Sequence, residues 1–256
     1  MKAKVIKQTR IHGEKVYPGE PVEVTELEFK QLKMFLSEID EKLPVNNKTY
    51  ALAILMSGNL KTLRRLQDWI RDAPKPEMSL YILDSSKSDD FGQRIKRWLG
   101  SKAMHNQFKK IMYKIEKPVF AIKKTDVVAD LYNKLIPEIT ESHFITLEDD
   151  TIPPVDGIIR LIEDYTGDVF AIPYPSRHGG LTVSFDDVFT RADFVEGIKE
   201  VKAVSGGFTL WDKRYWITLK RERPYKGWDD WLCAQIRQNK GKIFVHGDLR
   251  CEHLCK

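Results

Sequence analysis

The residues with the most chemical potential in this 256-residue chain are three consecutive acids, Glu148-Asp149-Asp150, set directly after the apolar run Phe144-Ile145-Thr146-Leu147. Three adjacent carboxylates repel one another and stay ionised only beside water or a cation. Hard divalent ions such as Mg²⁺ and Mn²⁺ prefer oxygen donors of this kind, often completed by substrate phosphates. Two further acids, Asp229-Asp230, follow Gly227-Trp228 late in the chain, and His253 comes 24 residues after Asp229. A carboxylate at such a position can accept a proton from a substrate hydroxyl. It can equally cap the free N–H groups at a helix start.

These groups must be held by an α/β framework. The run ending at Leu147 has the continuous apolar character of a strand buried on both faces, and open α/β sheets bind ligands beyond the carboxyl ends of such strands. Strand and helix patterns alternate from Thr49 onward. Residues 50–56 and 78–83 read as buried strands, ending at Ser57-Gly58-Asn59 and Asp84-Ser85-Ser86. Leu60, Leu63, Leu66, Trp69 and Ile70 recur at helical spacing. Helices are expected over 91–99, 107–115 and 126–139, a short strand over 119–122, and a helix beginning at Pro153-Pro154. Residues 174–193 read as a long irregular loop, a type that is usually functional. Paired glycines at 206 and 207 interrupt the strand pattern 204–211, which suits close approach of another group. A helix opens near 228, and residues 243–245 form the last strand.

Residues 1–45 read as a separate β-β-α appendage. Strand character at 3–11 and 21–24 is followed by the capping box Thr25-Glu26-Leu27-Glu28 and a helix carrying Leu27, Leu32, Phe35, Leu36 and Ile39. The pattern is similar to short segments of bacteriophage structural proteins, which would suit a viral origin and a docking role; a simple extension of the fold explains it as well. Pro44-Val45-Asn46-Asn47 marks the boundary, leaving 46–256 as the main domain.

Composition narrows the field. The net charge of +5 comes from 42 basic and 37 acidic residues, a mixed surface that gives no indication of nucleic-acid binding. No apolar run is long enough to span a membrane, and the start of the chain has no apolar signal-peptide region, so the expected compartment is the cytoplasm, the host's if the chain is viral. The three cysteines, Cys233, Cys251 and Cys255, suit neither a disulfide framework nor a common zinc pattern.

The order of the acids, glycines and histidine resembles the GT-A fold of nucleotide-sugar glycosyltransferases, particularly the large inverting family 2 type, over about residues 49–254. The resemblance implies a mixed, mostly parallel sheet flanked by helices, a nucleotide-sugar donor, a glycan, protein or other hydroxyl acceptor, and Mn²⁺ or Mg²⁺ as cofactor. It implies that Glu148 and Asp150 match the Asp-x-Asp metal motif, with Glu148 in place of the first Asp and Asp149 beside the donor, and that His253 completes the metal site. Gly227-Trp228-Asp229-Asp230-Trp231-Leu232 matches the motif carrying the catalytic base, with Asp229 in the Asp position; a register one residue later would give Asp230 the role. Ser57 and Asp84 fall where base and ribose sit, Asn133 matches an Ala-Arg-Asn motif in which Tyr132 replaces the Arg, and Gly206 and Gly207 match a strand lining the sugar pocket.

Other readings accompany these. Trp211, Trp228 and Trp231 could stack on sugar faces or belong to the core. Arg177 and His178 could bind phosphate from the 174–193 loop or be solvated. A nucleotidyl- or phosphoryl-transfer enzyme, or a non-catalytic glycan- or nucleic-acid-binding protein on a decayed transferase fold, remains as an alternative.

Overall fold

The computed structural model describes residues 48–117, 124–186, 190–219 and 227–254, together with five short strands in the first 47 residues. The chain divides into two compact units, Met1–Asn47 and Lys48–Lys256. In the first, Lys2–Val5 pairs antiparallel with Pro21–Glu23 and with Leu36–Glu38, and Thr9–Ile11 pairs with Glu14–Val16. The expected capping box lies outside the described residues. The expected helix through Leu36 is corrected to a strand there, because pairing with Val5 overrides local helix propensity.

The second unit is built on an eight-stranded sheet. Its strands in chain order are β1 (Tyr50–Met56), β2 (Met78–Asp84), β3 (Lys110–Ile115), β4 (His143–Glu148), β5 (Val169–Ala171), β6 (Ile198–Glu200), β7 (Phe208–Asp212) and β8 (Ile243–His246). Their order across the sheet is β6-β8-β5-β7-β4-β1-β2-β3. β1 to β4 run parallel as neighbours, as do β5 and β8, whereas β7 runs antiparallel between β4 and β5.

Helices cover both faces. Alternate residues of β1 show why the sheet must be buried twice. Leu52, Ile54 and Met56 face helices α1 (Leu60–Asp72), α2 (Asp89–Leu99) and α5 (Gly157–Glu163). Ala51, Ala53 and Leu55 face α4 (Lys124–Leu135) and α6 (Trp228–Gln238) across the other layer. The short α3 (Lys102–His105) leads into β3. α1 begins where the Asn59 side chain accepts from Lys61 N, and α2 where Ser88 accepts from Phe91 N, the expected cap chemistry.

Three local expectations are corrected. Residues 110–115 form an edge strand, not a helix, because their backbone pairs in register with β2 from Ser79↔Lys110 to Asp84↔Ile115. Pro153-Pro154 precede α5 by a turn, closed by Gly157 N donating to Pro154 O, and the helix starts at Gly157. The helix expected over 126–139 ends as α at Leu135 and continues as a 3₁₀ turn, Ile136–Glu138, around Pro137, which cannot donate to the α ladder. The strand expected at 119–122 lies outside the described residues. Among those residues no helix is long and apolar enough to cross a membrane.

Candidate functional site

The parallel register gathers the chemistry at one edge. Leu55 lies opposite Glu148 and Met56 opposite Asp84, so the carboxyl ends of β1, β2 and β4 point the same way. Because β7 runs antiparallel beside β4, with Phe208 opposite Leu147, its start brings Gly206 and Gly207 to that edge as well. A two-residue ribbon pairs Thr151–Ile152 with Glu252–His253 and sets Thr151 opposite His253. This ribbon carries the late histidine to the acidic turn.

Asp150 and His253 meet there. His253 Nε2 is 3.6 Å from Asp150 Oδ2, and Leu254 N donates to Asp150 O at 2.7 Å. His253 Nδ1 lies 3.0 Å from Pro175 O. A carbonyl only accepts, so Nδ1 carries a proton and Nε2 is the ring nitrogen on the side of Asp150. Metal-ligating histidines are usually oriented by such a carbonyl bond. The Arg177 guanidinium bonds Asp150 Oδ2, and its Nη2 is 3.5 Å from His253 Nε2, so a cationic group already sits between the two. Among the described residues no three His, Cys, Asp or Glu side chains are grouped so as to hold a metal ion. Glu148 is therefore not assembled with Asp150 and His253 as a third ligand.

Glu148 is turned toward a hydroxyl pair. Tyr174 Oη is 3.5 Å from Glu148 Oε2 and 2.6 Å from Ser205 Oγ, and the Tyr174 ring stacks edge-on against His253 at 5.0 Å. Burial, reinforced by Asp150, Asp229 and Asp149 and opposed by Arg177, pushes the Glu148 pKa up to about 8. In the metal-free protein this favours the protonated form of the group. Asp149 faces another way, accepting from Ser57 N at 2.7 Å and from Ser57 Oγ at 2.8 Å. That clamp ties the ends of β1 and β4 together and engages two of the predicted donor-side residues with each other.

Asp229 opens α6. Its Oδ1 accepts from Asp230 N at 3.1 Å, and its Oδ2 lies 3.4 Å from Gly206 N. Burial raises its pKa, against hydrogen bonds from Asp230 N, Ser205 and Gly206 N that favour the carboxylate. Asp229 and Asp230 both line a cavity of about 160 Å³ with Thr182, Ser184, Arg191 and Ser205.

The remaining predicted residues have internal partners. Asp84 is buried, accepting from Ser86 N at 2.8 Å and Tyr113 Oη at 2.7 Å. Asn133 bridges Leu219, donating to its carbonyl at 3.0 Å and accepting from its N–H at 2.7 Å, which fastens the segment after β7 to α4. The two glycines make room for rings of this chain: a Cβ on Gly206 would stand 2.3 Å from Trp228 Cη2, and one on Gly207 2.4 Å from the Tyr174 ring. Trp211, Trp228 and Trp231 are buried, Trp211 and Trp228 packing with Tyr132 and Trp216, so the reading of these rings as sugar platforms is corrected to core.

Tyr174 and Ser205 were not foreseen as site residues. Their one sequence signal is position: Tyr174 follows β5 by three residues and Ser205 precedes the paired glycines, both at the edge where the acids stand.

No family model and no curated relative matches the chain. Solved structures do, and the fold they define is that of the GT-A glycosyltransferases. The mannosyltransferase PcManGT from Pyrobaculum calidifontis, in complex with GDP-Man and Mn²⁺, is similar with a TM-score of 0.59 at 11% identity, over 90% of this chain and 64% of that one. S. aureus TarS gives 0.57 at 14% identity, over 81% and 37%. GalNAc-T7 with UDP, GalNAc and Mn²⁺ gives 0.54 at 14%, over 86% and 45%. The chain thus spans less than two thirds of each of these structures.

Proposed function

We propose that this chain is a metal-dependent glycosyltransferase that moves a sugar from a nucleotide-sugar donor to an acceptor hydroxyl, on a glycan, a protein or another carrier, with inversion. The observation that supports this most strongly is the Asp150–His253 pair at the carboxyl edge of the sheet, with His253 Nε2 3.6 Å from the carboxylate and Asp229 on the neighbouring helix start. Two structures of the same fold carry Mn²⁺ with nucleotide or nucleotide sugar.

One carboxylate oxygen with one imidazole nitrogen suits Mn²⁺ better than Mg²⁺, which favours oxygen donors throughout. Asp150 and His253 would hold the ion, donor phosphates and water supplying further ligands. When bound, it neutralises charge developing on the departing nucleoside diphosphate. Asp229 accepts the proton of the acceptor hydroxyl, which enters the cavity lined by Thr182, Ser184 and Ser205. Its raised pKa makes it a stronger base than a solvated aspartate. With a single base and attack from the face opposite the leaving group, no covalent intermediate is needed. Asp230, the runner-up for the base, lines the same cavity.

Incubation with UDP-, GDP-, CMP- and dTDP-sugars in Mn²⁺ should release nucleoside phosphate from at least one of them, and EDTA should stop the release. Absence of release from every donor, with and without candidate acceptors, would remove the transferase reading.

A further inference from the structure

We propose that Arg177 is an exchangeable counter-ion: it holds the Asp150–His253 pair in the metal-free protein and passes to the donor diphosphate when the cation binds. The inference rests on the transferase reading and adds a residue to it. Arg177 lies in a tight turn closed by the Pro175–Leu181 bridge and by Ser176 N donating to Gly180 O at 2.9 Å. Gly179 and Gly180 in that turn have φ of +86° and +65°, a left-handed backbone that favours glycine.

The guanidinium meets Asp150 Oδ2 and His253 Nε2, the same two atoms a cation would take. The hydrogen bond at the other ring nitrogen agrees with this: Nδ1 donates to Pro175 O, which leaves Nε2 to accept from Arg177 in the metal-free protein and to donate its electron pair to a cation that replaces it. The Arg177 side chain is 44% exposed, against 16% for Asp150 and 8% for His253. The anion and the imidazole are fixed while their partner can leave. Ion pairs this open contribute little, so a divalent ion can displace the guanidinium.

A displaced guanidinium remains within reach of whatever the cation binds. Arg offers a planar fork that matches phosphate oxygens, and a nucleoside diphosphate is the anion that a metal at this edge would recruit. Arg177 would thus act twice at one place, first on the empty pair and then on the leaving group.

The test is a pair of titrations on wild type, Arg177→Ala, Arg177→Lys and Asp150→Ala. In the first, Mn²⁺ alone is titrated and free ion counted by electron paramagnetic resonance. In the second, UDP and GDP are titrated calorimetrically at saturating Mn²⁺. Removal of the competitor should tighten Mn²⁺ in Arg177→Ala by roughly two- to fivefold. The same change should weaken the nucleoside diphosphate by roughly ten- to a hundredfold, and Arg177→Lys should fall between. These opposite signs are not produced by loss of structure, which would weaken both. If wild type binds Mn²⁺ through Asp150 but Arg177→Ala binds it equally or less tightly, the counter-ion role is overturned and the metal site stands. If neither wild type nor Arg177→Ala binds Mn²⁺, with or without nucleotide, the metal reading fails and the exchange with it.

Discussion

Asp229→Asn is expected to lower sugar transfer by roughly 10²- to 10⁴-fold, the usual contribution of a positioned general base, while leaving nucleotide affinity within about twofold. Asparagine keeps the shape and the acceptor oxygen that caps Asp230 N at 3.1 Å, so the start of α6 should survive. It cannot take a proton. The effect should therefore fall on kcat, since an interaction made only in the transition state is lost. Asp230→Asn provides the comparison. It removes a charge from the same cavity but leaves the carboxylate that meets Gly206 N and Ser205. A loss confined to Asp230→Asn would move the base one residue along, and equal mild losses in both would remove base catalysis by this pair.

Glu148→Gln is expected to stabilise the metal-free protein on the order of a few kcal/mol near pH 8. The sign follows from the proton balance. Glu148 has a pKa of about 8 in the folded chain and an ordinary value near 4.5 when unfolded. Between these values the folded state holds a proton that the unfolded state has released, so stability is lost as pH rises from about 4.5 to 8. Glutamine mimics the neutral acid and does not pay this penalty. The gain in Tm should be near zero at pH 4.5, grow with each pH step and level off above pH 8, reaching roughly 5–10 °C for a unit of this size. Thermal melts of both proteins in EDTA from pH 4.5 to 8.5 would show it. A constant difference, or a wild type more stable than the variant at pH 8, would contradict the burial of Glu148 and its crowding by Asp150, Asp229 and Asp149. Retention of such a costly acid is the pattern expected where stability is exchanged for chemistry.

The framework was more legible in the amino-acid sequence than the site. β1, β2 and β4 are buried on both faces, and a strand so placed is mostly apolar, which is a strong local signal. α1 was legible from its 3.6-residue spacing. β3 was not, because Phe108, Ile111, Met112 and Ile115 fall at i, i+3, i+4 and i+7 and imitate a helix. Only the register against β2 identifies it as an edge strand. The acids and His253 stood out by type and order, and the ribbon of Thr151–Ile152 with Glu252–His253 brings Asp150 and His253 within 3.6 Å of each other. What those residues touch was not legible. Paired glycines indicate close approach, but not that the approaching groups are Trp228 and Tyr174 of the same chain. Nor does residue type show that the Asn133 amide is engaged by Leu219 from 86 positions away.

Thermal melting of wild type and Asp150→Ala with UDP, GDP and their sugars, with and without Mn²⁺, tests the central claim most directly. A ligand that binds only the native state at a hundred times its Kd adds about 2.7 kcal/mol, a rise in Tm of roughly 5–10 °C for a unit of this size. Wild type should show that rise with at least one nucleotide, only when Mn²⁺ is present, and Asp150→Ala should show none. Equal shifts in the two proteins, or no shift with any nucleotide in the presence of Mn²⁺, would contradict a nucleotide–metal site at Asp150.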